Sequence, residues 1–155
     1  MNIEMKDQEL QDLLISWISL SAAFAFVFSS GGLNVTGFAN ALAIAALAVG
    51  TGFLMHELAH KYVAIHFGAK AEYRAWTTGL VFAVVVAFVA RFIFAAPGAV
   101  YIFGKNVTVR ENGIISLAGP FANVVVGIVS LLIASVAGNQ TIVQVAGIVG
   151  SINLY

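Results

Sequence analysis

Long apolar stretches separated by short polar breaks make up most of this chain. Four of them, at residues 13–28, 38–67, 114–137 and 141–155, read as membrane helices. A helix needs about 20 apolar residues to cross the hydrocarbon core of a bilayer. The second and third stretches are long enough, whereas the first has only 16 residues and the last 15. The pattern predicts an all-α membrane protein, a multi-pass helical bundle.

The region between the second and third stretches predicts a small insertion of different structure. Residues 68–78 indicate a helix stop followed by short extended structure. Residues 79–96 are apolar and leave three arrangements open: a plain spanning helix, a re-entrant hairpin or a strand pair. Residues 99–103 and 107–109, on either side of Gly104-Lys105-Asn106, predict a β-hairpin.

Composition defines the class of protein and excludes several functions. Hydrophobic residues make up 61% of the chain and charged residues 9%, unlike a typical soluble domain. The formal net charge of zero gives no basic surface for a nucleic-acid partner. Without cysteine, the chain has no disulfide and no thiolate metal site. We expect one integral-membrane domain over residues 1–155, with an acidic segment 1–12 that is unlike a secretory signal.

The sequence His56-Glu57-Leu58-Ala59-His60 lies near the end of the second apolar stretch. On a helix, His56 and His60 are separated by about 6 Å of rise and about 40° of rotation. Both imidazoles therefore leave the same face, close enough to share one tetrahedral metal ion. Glu57 lies about 100° round from His56, too far to be a third ligand on that face. It is well placed to take a proton from water at the metal, so these parts predict a zinc hydrolase.

A third histidine, His66, extends the motif toward another known pattern. The pattern is HExxHxxGxxH, but Val63 stands where it has glycine. That glycine lets the chain turn off the helix, whereas a β-branched residue resists such a conformation. On a continuing helix, His66 points about 120° away from His60. We therefore interpret His66 as a polar residue at the helix end.

The third long stretch carries a stripe of small and polar residues. Gly119, Asn123 and Gly127 recur at every fourth position, which favours close helix contact. Pro120 removes one backbone donor and favours a kink. A side-chain amide is costly in lipid, so we expect Asn123 to face another helix or the metal cavity, where it would support the site.

Basic residues set the expected orientation. Lys61, Lys70 and Arg74 follow the motif, and the positive-inside rule then places this edge of the cell membrane on the cytoplasmic side. Two other functional classes stay open: a membrane metal carrier or transporter using the His pair, and a non-catalytic membrane scaffold. A carrier needs further polar residues along a path through the membrane, and the few present form no evident track.

The chain also resembles the site-2 protease family of intramembrane zinc metalloproteases, over roughly residues 38–155. Three stretches carry the resemblance: His56-Glu57-Leu58-Ala59-His60, Ala95-Ala96-Pro97-Gly98-Ala99-Val100-Tyr101 and Leu117-Ala118-Gly119-Pro120-Phe121-Ala122-Asn123. The resemblance implies that His56 and His60 ligate one catalytic zinc ion and that Glu57 is the general base. It also implies regulated intramembrane proteolysis of membrane-anchored protein substrates.

The family takes its third zinc ligand from an Asp in a Leu-Asp-Gly type motif on the following helix. After His60 this chain has only the carboxylates Glu72 and Glu111, neither in such a motif. The last apolar stretch stops without a cap or charge, so we expect the protein to continue past Tyr155. The missing Asp is expected within about 10–20 further residues. The 155-residue chain alone is accordingly expected to bind zinc weakly and to hydrolyse nothing.

Overall fold

The computed structural model describes residues 5–29, 35–93, 96–104 and 106–154. The helices of this part of the chain are α1 (Asp7–Phe28), α2 (Val35–Val49), α3 (Met55–His66), α4 (Thr77–Ala90), α5 (Val109–Val136) and α6 (Gln140–Leu154). A π-helical segment, Gly50–Leu54, joins α2 to α3, and the strands are β1 (Lys70–Ala75) and β2 (Gly98–Phe103). Ala95, Lys105 and Tyr155, which carried parts of the sequence predictions, lie outside the described residues.

Three helical runs, Asp7–Phe28, Val35–His66 and Val109–Val136, are long and apolar enough to cross a membrane. The helices α4 and α6 are apolar but shorter, with 14 and 15 residues. Many large apolar side chains on the outer faces are exposed, as suits a surface that contacts lipid. The prediction of an all-α membrane protein with a small β insertion is confirmed.

The position of the two-stranded sheet differs from the prediction. β2 pairs antiparallel with β1, from Ala75↔Gly98 to Lys70↔Phe103, so the predicted hairpin with residues 107–109 was wrong. Those residues instead lead into α5 through a capping box. The Thr108 hydroxyl accepts the Glu111 N–H at 3.2 Å, and the Glu111 carboxylate accepts the Thr108 N–H at 2.7 Å. These reciprocal bonds satisfy two backbone donors at the helix start.

The chain leaves the sheet at residue 76, after β1, and rejoins it at residue 97, before β2. The Trp76 N–H donates to the Pro97 carbonyl at 2.8 Å, beside the last pair of the strand ladder. Between these residues α4 runs along α1 and ends at Arg91, whose guanidinium donates to backbone carbonyls at the C-terminal end of α1. Residues 76 and 97, between which α4 lies, are therefore at the same end of the two-stranded sheet. We call this part of the chain the α4 excursion. Of the three arrangements left open for residues 79–96, the strand pair is excluded because residues 79–90 are helical, and α4 with 14 residues is shorter than a membrane span needs.

Buried polar groups tie α1 to the sheet and to α3. Glu9 is fully buried, and its carboxylate contacts Lys61 Nζ at 2.6 Å and accepts the Tyr73 N–H at 3.1 Å. Ser16 Oγ and the Tyr73 hydroxyl oxygen are 2.9 Å apart. Burial raises the pKa of Tyr73 to about 12, so this hydroxyl keeps its proton at neutral pH. Through these bonds α1 covers the outer edge of β1.

Candidate metal centre

The two motif histidines lie side by side in the first turns of α3. Their ring centroids are 4.7 Å apart and their planes are inclined at 78°. His56 and His60 are both half-buried, so each ring is held by protein on one side and open on the other. The structure thus brings together the two imidazoles that the sequence pattern singled out.

Gly119 of α5 lies directly in front of both rings. A Cβ at this position would be 2.6 Å from Nε2 of His56 and closer still to Nε2 of His60. The two Nε2 atoms therefore both lie beside one place, and only glycine leaves space there. The small-residue stripe in the sequence predicts only close helix contact for Gly119. Its spacing from the histidines across 59 residues of chain is visible only in the fold.

The orientation of His60 is set by a backbone carbonyl. Nδ1 of His60 lies 2.6 Å from the carbonyl oxygen of Ile115. A carbonyl only accepts hydrogen bonds, so Nδ1 carries a proton, and in the neutral ring Nε2 then carries the lone pair. This is how proteins commonly hold a metal-binding histidine. Pro120 lies in the same part of α5 and, having no N–H, leaves the Ser116 carbonyl without its helical donor.

Glu57 and both histidines line one cavity of about 490 Å³. The remaining lining comes from β2 and the first turns of α5: Gly98, Ala99, Val100, Ile102, Asn112, Ile115 and Ser116. Among these described residues Glu57 has the only carboxyl group. A half-buried carboxylate beside two imidazoles can accept a proton from a molecule bound in the cavity.

The wall of the cavity formed by β2 is the open edge of the sheet. The Tyr73 N–H points away from β2, toward Glu9, so Tyr73 and Val100 form a pair that is not hydrogen-bonded. The backbone N–H and C=O of Val100 therefore point away from β1. By the two-residue alternation of a strand, those of Gly98 and Ile102 do the same. These three residues all line the cavity.

The other predicted residues have different surroundings. Asn123 of α5 approaches the ring of His56, and its Oδ1 is buried with no hydrogen-bond partner in the described part of the chain. His66 is exposed at the last residue of α3, and Val63 is helical, as expected from its resistance to a turn. Within the described ranges no three His, Cys, Asp or Glu side chains come together. The third ligand stays a prediction.

The surroundings of the His pair fit a bound cation. The Nε2 atoms of His56 and His60 lie together beside Gly119, where a Cβ is excluded. The Ile115 carbonyl fixes the tautomer of His60. The Asn123 Oδ1, which has no hydrogen-bond partner in the described part of the chain, lies beside the ring of His56. Neutral imidazoles with a free Nε2 are ordinary zinc ligands. The fold is that of a membrane protein, and the site brings two imidazoles and a carboxyl group into one cavity.

Comparison with known proteins identifies the family. The chain is 39% identical over 149 residues to a protein of Methanocaldococcus jannaschii that is named "putative zinc metalloprotease". The match covers 96% of this chain and 74% of that protein. No family model matches the chain. No solved structure matches it at a significant level. At this identity and coverage, the chain belongs to the metalloprotease family of its archaeal relative.

Proposed function

We propose that this protein is an intramembrane zinc metalloprotease that cleaves membrane-anchored protein substrates in or near the bilayer, as in regulated intramembrane proteolysis. One observation carries the proposal. Two converging histidine Nε2 atoms and Glu57 lie in a cavity whose wall is an open strand edge, and the helix that bears them is long enough to cross a membrane. The relative's name supports zinc and protease chemistry.

In this proposal His56 and His60 hold the metal through Nε2. Bound zinc would supply a Lewis acid that polarises the peptide carbonyl and makes water more acidic. The Glu57 carboxylate would take a proton from the attacking water and pass it to the nitrogen of the leaving amine. The Ile115 carbonyl would keep His60 in the required tautomer throughout. The buried Asn123 Oδ1 would orient a polar group beside His56.

Residues 98–102 suggest how a substrate is held. In a helix the peptide carbonyls accept intrahelical hydrogen bonds and are not accessible for attack. A helical substrate must therefore become extended before hydrolysis. The outward-facing backbone groups of Gly98, Val100 and Ile102 offer hydrogen bonds to an added strand. The other edge of the sheet is covered by Glu9. A substrate strand paired with β2 would therefore run past the two histidines.

Two further features of the site belong to the same proposal. The third zinc ligand would be an aspartate in a Leu-Asp-Gly type motif, as the resemblance to the site-2 protease family implies. The site would lie at the cytoplasmic edge of the membrane, because Lys70 and Arg74 in β1 follow the motif helix directly.

Metal content and cleavage measured on the same variants test these roles. The protein is purified and reconstituted into lipid vesicles together with a panel of single-span membrane proteins. We expect His56→Ala and His60→Ala to lose both zinc and cleavage, because each removes a ligand. Glu57→Gln should retain zinc and lose cleavage, because it removes only the base. His66→Ala, which changes a histidine outside the cavity, is the matched control and should behave as wild type.

The same variants separate the alternatives. Equal loss of zinc in all three site variants would contradict the assigned roles. A metal carrier predicts zinc movement across the vesicle membrane without cleavage of any panel member. A scaffold predicts no zinc in the wild-type protein.

A further inference from the structure

The motif helix does not continue α2 in one helical register. Residues Gly50–Leu54, immediately before the motif, are π-helical. A π-helical turn closes i→i+5 hydrogen bonds, so it contains one residue more than the i→i+4 turn of an α-helix. Such segments are rare and are found mostly at functional sites. The roles proposed above leave this one unexplained.

One extra residue changes the direction of every side chain that follows it. At 3.6 residues per turn the change is about 100°. In an unbroken α-helix the residues one position earlier, Met55 and Ala59, would take the directions that the two histidines now hold. The preceding part of α2 is fixed independently, because its last turns are buried against other helices. The π-helical segment therefore decides whether the histidines face α5.

Trp17 of α1 lies against this segment. Its indole N–H donates to the Ala46 carbonyl, one turn before the segment, at 2.8 Å. Its ring is so near that a Cβ at Gly50 would be 3.0 Å from Nε1. Within the segment, the Thr51 hydroxyl donates to two carbonyls of the preceding turn at 2.9 and 3.1 Å. This local bond compensates carbonyls at the change of register.

We propose that Trp17 is a positioning residue that holds Gly50–Leu54 in the π-helical register and thereby turns the HExxH motif toward α5. The inference rests on the proposed metal centre, because it concerns where the histidine rings point. It does not depend on which reaction follows. Without the indole N–H, the segment closes into an α-helix, regains i→i+4 bonds and rotates Met55 into the place of His56.

The test uses the equivalence between a π-helical turn and an inserted residue. Trp17→Phe keeps an aromatic ring and removes the donor. It should lower the affinity of the full-length protein for Co²⁺ on the order of 10–100-fold, as loss of support for a metal ligand does. Deleting Thr51 removes the extra residue, so this deletion alone should leave Co²⁺ affinity near that of wild type. Added to Trp17→Phe, it should restore most of the lost affinity.

A second readout needs no metal. Met55 is now 49% exposed, and this chain has no cysteine. The thiol of Met55→Cys should react more slowly with a maleimide in the Trp17→Phe background, because rotation turns it toward α5. Deleting Thr51 in that background should restore the faster reaction. Trp76→Phe, which changes an exposed tryptophan at the start of α4, is the matched control and should change neither readout.

A packing role for Trp17 predicts a different outcome. Deleting a residue 34 positions away would then add its own damage instead of relieving the loss. Unchanged thiol reactivity in the Trp17→Phe background, or no recovery after the deletion, overturns the proposal. If Trp17→Phe does not fold, Trp17→Leu takes its place, because it also removes the indole N–H donor to the Ala46 carbonyl and carries the same expected results. Neither Co²⁺ affinity nor the thiol reactivity of Met55→Cys depends on cleavage, so both measurements stay valid if the protein cleaves no substrate.

Discussion

Neutralising one member of the buried Glu9–Lys61 pair should strongly destabilise the protein. The side chains of Glu9 and Lys61 are 0% and 3% exposed, with Nζ and Oε2 2.6 Å apart. Glu9→Gln keeps an oxygen for the Tyr73 N–H but removes the negative charge that faces the ammonium group. Lys61→Met keeps an apolar stem of similar length and removes the positive charge.

Burial decides the magnitude. Removing one partner of a buried ion pair costs about 3–5 kcal/mol, because the other charge stays in a medium that solvates it poorly. Replacing both charges is often neutral or stabilising. We therefore expect each single variant to lose about 3–5 kcal/mol of unfolding free energy. Glu9→Gln/Lys61→Met leaves no unpaired charge and should lose less, about 1–3 kcal/mol, because the Gln amide N–H is buried without an acceptor. The Tyr73 N–H keeps an acceptor in the double variant.

Reversible unfolding in detergent micelles, followed by circular dichroism, measures these free energies. Lys6→Gln is the matched control, since it breaks another bond between the start of α1 and β1, the Lys6–Glu72 pair. The Lys6 side chain is 65% exposed, so this change should leave the unfolding free energy nearly unchanged. Single variants of the buried pair that cost less than about 1 kcal/mol, as exposed pairs do, would refute the reasoning.

Two further predictions concern the walls of the cavity. Gly119→Ala should abolish zinc retention, because its Cβ would occupy the space in front of the histidine Nε2 atoms. The control Gly113→Ala, in open space on the same helix, should retain zinc and gain about 0.5–1 kcal/mol of stability. Zinc retention by Gly119→Ala would exclude this placement of the metal. Val100→Pro removes an N–H that faces the cavity and no bond to β1, so it should raise KM or abolish cleavage with zinc content unchanged. Unchanged KM in that variant would remove the case for a substrate strand on β2.

The sequence predicted the helices well because their cause is local. An apolar run of about 20 residues or more predicts a membrane-spanning helix without any information from the rest of the chain. The motif histidines were equally readable, since i and i+4 on a helix always share a face. The hairpin prediction failed for an identifiable reason. Thr108-Val109-Arg110-Glu111 is a capping-box sequence, and the helix start that it stabilises outweighs the apolar alternation of residues 107–109.

The features that complete the site could not be predicted because they join distant parts of the chain. The Glu9–Lys61 pair spans 52 residues, and the Trp17 bond to Ala46 spans 29. Nothing in the residues 50–54 themselves distinguishes a π-helical from an α-helical register. The pairing of β1 with β2 depended on the excursion of α4, and the sequence left that excursion open among three arrangements.

The bond between Trp76 and Pro97 also has a consequence for biosynthesis. It makes the α4 excursion an insertion within a β-hairpin, so β1 leaves the ribosome before α4 and β2 leaves after it. The strand that walls the cavity can therefore pair with β1 only after α4 has been synthesised. Under the proposed protease function, the strand edge offered to a substrate is thus completed after both the motif helix and α4 have been made.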